Sequence, residues 1–221
     1  MSTLSLGRKS NNIWHKIISN PEKMETAIQK RKYTYAEYLQ LEKETDVRHE
    51  FWNGEVFAMA GGTGNHNRIG LKLAAALLEK FEPNACKVFF NDVKLELQKE
   101  NYYVYPDVVL TCDKDEDDAY FVKRPMLIVK VLSKSTETYD RSVKLAQYRK
   151  IKSLRYYLLV SQTAPVVEIY GRANENELLT YDVAEGMDAI IQLPLLDFAL
   201  PMSKVYEYIE FGEESKDQPI I

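Results

Sequence analysis

The chain has 221 residues, of which 45% are hydrophobic and 28% are charged, and its formal net charge is −4. This length favours one globular domain with a core of its own. No apolar stretch approaches the ~20 residues that a membrane-spanning helix needs, so we expect no membrane segment. The negative net charge also argues against a uniformly basic protein that coats nucleic acid.

The cysteine and histidine content argues against a structural zinc site. Cys86 and Cys112 are the two cysteines, and neither belongs to a CxxC pair. The three histidines are scattered and show no zinc-ligand spacing. The N-terminus lacks the apolar core and the cleavage site of a signal peptide, so we expect a cytoplasmic protein.

Charge is unevenly distributed along the chain. Residues 121–156 carry ten Lys or Arg against two acids, a local charge of +8, whereas residues 173–221 carry eleven acids against two lysines, a local charge of −9. Two interpretations stay open at this point. The segments could be two solvated faces of opposite sign, or the basic segment could be the face that an acidic protein offers to phosphates.

The first third of the chain contains clear start and turn signals. Residues 1–31 show little periodicity and are interpreted as an N-terminal arm. Thr34, followed three residues later by Glu37, is a capping box that predicts the start of a helix. Asn53-Gly54 between two strand-like runs predicts a hairpin. The glycine-rich residues 61–64 then lead into an amphipathic helix, and they lack the GxxxxGK[ST] pattern of a phosphate loop.

Strand-like runs dominate the middle of the chain. Alternation over 93–97, the run "YYVYPDVVLTC" and the run "MLIVKVLS" predict three consecutive strands of a sheet. A basic helix, two further strands, a short strand or turn and a C-terminal helix follow, and 212–221 is interpreted as a tail. The mixture predicts an α/β or α+β domain over 32–211, with a mixed β-sheet core flanked by helices.

Three carboxylates are candidates for phosphodiester chemistry, because that reaction uses a hard divalent cation held by carboxylate oxygens. Asp107 follows Pro106 and leads into an apolar strand, Asp92 leads into the strand 93–97, and Glu50 lies beside the hairpin. Each has an ordinary alternative as a turn residue, a cap or an ion-pair partner.

The chain from Tyr33 to about Tyr208 resembles the bacterial Uma-two type of restriction endonuclease, a branch of the PD-(D/E)XK nuclease superfamily. The resemblance rests on "RHEFWNGEVFAMAGGTGNHNRI", "VFFNDVKLEL", "YVYPDVVLTCD", "LIVKVLSKSTETYDRSVKLAQYRKIKSLRYYLLV" and "LPLLDF". It implies a restriction-endonuclease-like core, DNA cleavage that depends on Mg²⁺ or Mn²⁺, and a homodimer. It also implies Asp107 and Glu50 as metal ligands, Asp92 as a supporting acid and Lys144 as a catalytic lysine.

Lys130 departs from the family pattern. The family usually has "VEVLSPST" where this chain has "VKVLSKST", so a lysine replaces the second metal-binding glutamate. A protonated lysine donates hydrogen bonds and is not a metal ligand. We therefore hypothesise that Lys130 reaches into a cluster of Asp92, Asp107 and Glu50 and replaces the metal. Two alternatives stay open: another acid completes a working site, or the lysine reflects a variant of an active parent.

The basic helix is a candidate DNA contact. Arg141, Lys144 and Tyr148 are three and four residues apart, a spacing that places them near one helical face where they could address a backbone phosphate. Arg149 and Lys150 extend the same basic segment and are candidate DNA-binding residues. The ordinary alternative is a solvated basic helix. The sequence thus predicts a DNA endonuclease or, alternatively, a catalytically degenerate nuclease fold that binds DNA or a protein.

Overall fold

The computed structural model describes residues 31–59, 61–114, 120–174, 177 and 179–212. The predicted arm 1–31 and tail 212–221 lie outside this part of the chain, except for their inner residues 31 and 212. The helices are α1 (Tyr35–Glu44), α2 (Gly64–Phe81), α3 (Glu137–Tyr139, a π-helical turn Asp140–Lys144, and Leu145–Tyr148) and α4 (Met202–Tyr206). The strands are β1 (His49–Trp52), β2 (Glu55–Ala58), β3 (Lys87–Phe90), β4 (Lys94–Gln98), β5 (Tyr102–Val104), β6 (Val108–Thr111), β7 (Phe121–Val122), β8 (Leu127–Val131), β9 (Tyr156–Val160), β10 (Val166–Gly171), β11 (Thr180–Glu185), β12 (Ile190–Leu193) and β13 (Phe198–Pro201).

The predicted capping box and hairpin are both present. Thr34 accepts a hydrogen bond from the backbone N–H of Glu37, and the Glu37 carboxylate accepts one from the N–H of Thr34, which fixes the start of α1. Asn53 and Gly54 have φ values of 46° and 90°. These positive angles form the tight turn between antiparallel β1 and β2.

Two larger sheets form the body of the domain. The first has the strand order β2-β1-β5-β4-β7, and the second has the order β11-β10-β9-β8-β6-β3. The strands β8 and β9 are parallel and are connected through α3, whereas most other neighbours are antiparallel. This is the predicted mixed sheet with flanking helices.

The six-stranded sheet is covered on both faces. Successive side chains of a strand point to opposite faces. On β8, Val129 and Val131 contact the cluster that contains α2, whereas Ile128 contacts the cluster that contains α3 and the five-stranded sheet. All five residues of β8 are buried, as are all five of β9. Lys130 lies between Val129 and Val131 on the strand, so its side chain points to the opposite face, towards α3 and the five-stranded sheet.

The middle strands differ from the prediction in one respect. They are divided between the two sheets, with β4 and β5 in the five-stranded sheet and β6 and β8 in the six-stranded sheet. Asn91 and Asp92 have φ values of 51° and 54°, so the chain turns sharply between β3 and β4. Pro106 cannot donate to a ladder and separates β5 from β6. Local alternation predicts a strand but does not indicate which sheet the strand joins.

A disulfide joins Cys86 to Cys112. The two residues flank the last pair of the β3–β6 ladder, Lys87 opposite Thr111, so cross-strand pairing brings the sulfur atoms together. Their separation of 26 residues gave no such indication in the sequence. Within the described residues, no helix has the length and apolar character needed to cross a membrane.

Candidate functional site

Asp107 directly precedes β6 and is the centre of a buried ionic cluster. Its Oδ2 atom accepts a hydrogen bond of 2.6 Å from the backbone N–H of Val131, and its Oδ1 atom lies 3.1 Å from Nζ of Lys130. Asp107 is 4% exposed and Lys130 is 7% exposed. Lys130, a charged side chain in the otherwise apolar strand β8, therefore has a buried anionic partner.

The surroundings of Lys130 keep it charged. Burial by itself lowers the pKa of a lysine, because it penalises the charged form. The negative charges of Asp107, Asp140 and Glu50 outweigh burial, and the pKa of Lys130 lies above its ordinary value of 10.5. At neutral pH the side chain is thus an ammonium ion that donates to Asp107.

Lys144 forms the second ion pair of the cluster. Its Nζ atom lies 2.7 Å from Oε1 of Glu50 and 3.2 Å from Oδ1 of Asp140, and the residue is 3% exposed. Glu50 belongs to β1, and its Oε1 atom also accepts a hydrogen bond from the N–H of Tyr105. The structure thus brings Glu50, Asp107, Lys130 and Lys144 together between the two sheets.

Asp140 completes the cluster and was not among the sequence candidates. It is fully buried, and neither carboxylate oxygen has a hydrogen-bond partner among the described residues, although Lys144 lies within ion-pair distance. The π-helical turn that includes both residues carries their side chains to the buried side of α3. The only signal in the sequence was an acid four residues before a lysine on a predicted helix.

His66 is the second residue that the sequence did not identify as part of the site. Its Nε2 atom lies 3.5 Å from Oδ1 of Asp107, the oxygen that also contacts Lys130. The N-cap residue Thr63 accepts a hydrogen bond from the N–H of His66 and donates one to Gln162. Gln162 in turn donates to the carbonyl of Leu132 at the end of β8. These contacts anchor the first turn of α2 beside the cluster.

The cluster contains three carboxylates and two ammonium groups. The acids are Glu50, Asp107 and Asp140, and the cations are Lys130 and Lys144. The negative charges also act on neighbouring side chains: burial and then Glu50, Asp140 and Asp107 raise the pKa of Tyr148 well above its ordinary value. Each ammonium group contacts at least one acid, as charges in a low-dielectric interior require.

The residues present do not fit a divalent cation. Among the described residues, no group of three or more His, Cys, Asp and Glu side chains is arranged to hold a metal ion. One oxygen of Asp107 accepts from a backbone N–H and the other contacts an ammonium ion. Mg²⁺ demands nearly octahedral oxygen coordination, and a protonated amine beside the ligand repels a cation.

The prediction that Asp92 belongs to this cluster is wrong. Its carboxylate forms an ion pair of 2.7 Å with Arg48, and its side chain is 70% exposed. The positive φ of Asp92 directs the side chain to the surface turn between β3 and β4. Glu96, an acid on β4, accepts a hydrogen bond from the hydroxyl of Tyr103.

The expected phosphate-facing surface of α3 is also not formed. Lys144 and Tyr148 are buried, and Arg141 forms ion pairs with Glu137 and Glu168. The wide π-helical turn and the packing of α3 on the sheet replace the regular spacing on which that prediction relied. The two remaining predicted DNA contacts, at 149 and 150, are exposed beyond the end of the helix.

Comparison with known proteins places the fold and the family. The model of the Uma2 family, described as "Putative restriction endonuclease", matches residues 35–203. Two uncharacterized proteins of Synechocystis, slr1290 and sll1609, are 34% and 33% identical to this chain. The matches cover 69% and 70% of this chain, and 82% and 90% of the relatives.

A solved structure shares the architecture. It is described as a "putative nuclease belonging to DUF820" from Anabaena variabilis, and it matches with a TM-score of 0.64 at 15% sequence identity. The match covers 80% of this chain and 99% of the other. The predicted restriction-endonuclease-like fold is thereby confirmed, and by sequence the chain belongs to the Uma2 family of restriction-endonuclease-like proteins.

Proposed function

We propose that this protein is a DNA-binding member of its nuclease family in which a lysine replaces the metal, so that it binds DNA without cleaving it in Mg²⁺. The observation that carries the proposal is the contact between Nζ of Lys130 and Oδ1 of Asp107 at 3.1 Å. An internal ammonium ion neutralises the central acid and needs no bound cation. The exposed cations at 149, 150 and 152, within the basic segment 121–156, support DNA as the partner.

A nicking assay on supercoiled plasmid tests this proposal. The proteins are wild type, Asp107→Ala, Lys130→Glu and the double variant, each with Mg²⁺ and with Mn²⁺. We expect wild type to shift the plasmid in a gel without nicking it, and Lys130→Glu to gain nicking that Asp107→Ala abolishes. Nicking by wild type that is lost in Asp107→Ala would contradict the proposal.

Calorimetric titration of Mn²⁺ gives a second measurement that does not depend on cleavage. We expect no binding heat with wild type and a measurable heat with Lys130→Glu, because the substitution removes a cation and adds a carboxylate beside Asp107. Lys130→Gln is the matched control, since it removes the charge without adding a ligand. Thermal melts confirm that each variant is folded. Equal, tight binding by wild type and Lys130→Glu would exclude the replacement of the metal by Lys130.

A metal-dependent DNA endonuclease is the second candidate function. It is favoured by the convergence of Glu50, Asp107 and Lys144, which lie in adjacent ion pairs of one cluster. In this case Asp107 and Glu50 would be the ligands of Mg²⁺ or Mn²⁺ and Lys144 would be the catalytic lysine. The present contact of Lys130 with Asp107 would then have to break. Nicking by wild type in Mn²⁺, with loss in Lys144→Ala at unchanged DNA affinity, would favour this candidate.

The homodimer and the cytoplasmic location remain predictions. The family resemblance is the basis for the dimer, and light scattering coupled to size-exclusion chromatography measures it directly. A mass of one chain, 25.6 kDa, would contradict the prediction.

A further inference from the structure

The segment between α3 and β9, residues 149–155, carries a dense positive charge and is called the basic loop. Four of its seven residues are Arg or Lys and none is an acid. Its cations are Arg149, Lys150, Lys152 and Arg155, of which the first three are exposed.

The buried residue Arg172 holds this loop in place. It is 6% exposed, and its guanidinium group donates hydrogen bonds to the carbonyl oxygens of Arg149 at 2.7 Å, Leu154 at 3.2 Å and Ile151. Arg155 donates to the carbonyl of Lys152. Four carbonyl oxygens of the loop are therefore directed towards guanidinium groups.

This arrangement changes the electrostatics at the end of a helix. The α3 helix ends at Tyr148, and the C-terminal end of a helix carries partial negative charge that repels anions. Arg172 places a full positive charge on the carbonyls just beyond that end. A helix terminus that would otherwise repel an anion thus presents a positive surface.

The basic loop and the ionic cluster lie at opposite ends of β8 and β9. The N–H of Arg155 donates to the carbonyl of Met126, which precedes β8, and Ser153 donates to the carbonyl of Pro125. Lys130 lies near the other end of β8, three residues beyond Leu127. At about 3.3 Å per residue, Leu127 and Lys130 are roughly 10 Å apart along the strand.

The aromatic residues nearest to the loop do not offer a stacking surface. Tyr148, Tyr156 and Tyr157 are 1%, 5% and 0% exposed. Proteins that bind single strands stack bases on exposed aromatic rings, whereas contacts to the backbone of a duplex need cations. The surface therefore fits the phosphates of a duplex better than unpaired bases.

We propose that the basic loop is the surface that binds the phosphate backbone of duplex DNA, with Arg172 as the positioning residue. The inference rests on the proposed DNA-binding function and adds the location of the bound DNA. The loop lies at the opposite strand end from the buried Lys130 and Asp107, so its phosphate contacts are separate from the ionic cluster. Arg141, which forms two ion pairs, takes no part in this surface.

Fluorescence anisotropy with a labelled 30-base-pair duplex, over a range of KCl concentrations, tests the location. The loop variant is Arg149→Gln/Lys150→Gln. The matched control is Arg68→Gln/Lys134→Gln, which removes two exposed charges near the ionic cluster. Each lost phosphate contact makes the negative slope of log K against log salt shallower by about 0.9, so we expect a slope shallower by about 2 and an affinity about 50-fold lower at 0.1 M salt.

The outcomes separate this inference from the proposed function. If wild type does not bind the duplex, both the inference and the proposed function fail. If wild type binds and the control variant loses affinity while the loop variant keeps it, the inference alone is overturned. Tighter binding of a single-stranded oligonucleotide than of the duplex would also overturn it.

The role of Arg172 is tested with Arg172→Lys and Arg172→Met. Both lose the guanidinium hydrogen bonds, but Arg172→Lys keeps the buried positive charge beside the loop carbonyls. We expect Arg172→Lys to retain most of the duplex affinity and Arg172→Met to lose it, with thermal melts showing that both are folded. Equal affinity of the two variants would mean that Arg172 is only structural.

Discussion

Replacing Lys130 by methionine tests the ion pair at the centre of the cluster. Methionine has an unbranched side chain of similar length, but it leaves Asp107 with the N–H of Val131 and the more distant His66. Two unit charges at the observed 3.1 Å attract by about 5 kcal/mol at an effective dielectric constant of about 20. Removing one partner of a buried pair costs about 3–5 kcal/mol, so we expect that loss in the free energy of unfolding at pH 7.

Urea unfolding followed by circular dichroism measures this loss. With a slope of about 3 kcal/mol per molar urea, the midpoint should fall by roughly 1–1.7 M. Lys134→Met, which removes an exposed lysine from the loop after β8, is the control and should change little. Replacing both members as Lys130→Met/Asp107→Leu should recover most of the loss, because no charge is then left buried. A loss below about 1 kcal/mol for Lys130→Met alone would refute the reasoning.

Two further substitutions test the surroundings of the site and the disulfide. A Cβ atom on Gly62 would lie 2.8 Å from Nδ1 of His66, whereas one on Gly61 would meet nothing within 4 Å. We therefore expect Gly62→Ala to shift the imidazole NMR signals of His66. Gly61→Ala is the control and should leave these signals unchanged. The disulfide between Cys86 and Cys112 closes a loop of 26 residues, so its removal as the double serine variant should lower the free energy of unfolding by about 3.5 kcal/mol. An unchanged urea midpoint in the serine variant would contradict this value.

Much of the fold could be predicted because its signals are local. The capping box at Thr34, the turn at Asn53-Gly54 and the buried runs of β8 and β9 each depend on neighbouring residues, and each is present. The assignment of strands to two sheets could not be predicted, because it depends on which distant strand each one meets. The disulfide could not be predicted for the same reason, since the register of β3 on β6 is what brings Cys86 beside Cys112.

The site was predicted where the family pattern fixed a residue and missed where packing decided the contact. Asp107 and Glu50 were expected together and lie in adjacent ion pairs. Asp92 was expected with them, but a positive φ turns it to Arg48 at the surface. Asp140 and His66 reach the cluster through a π-helical turn and a helix start, neither of which has a periodic signature in the sequence.

The charge of Lys130 also predicts how stability changes in alkaline solution. Burial lowers its pKa, but the negative charges of Asp107, Asp140 and Glu50 raise it by more than burial lowers it. The folded-state pKa therefore lies above the ordinary value of 10.5. A group whose pKa is raised on folding stabilises the protein fully below its unfolded pKa, and this contribution is lost as pH rises through the folded pKa.

We therefore expect the stabilising contribution of Lys130 to be constant near pH 7 and to decline above about pH 10.5, the ordinary value from which its pKa is raised. Urea midpoints measured between pH 7 and pH 11.5 should fall at the alkaline end in wild type. The difference between wild type and Lys130→Met should shrink over the same range, because only wild type has this proton to lose. A difference that stays constant to pH 11.5 would contradict a folded-state pKa of Lys130 raised above its unfolded value.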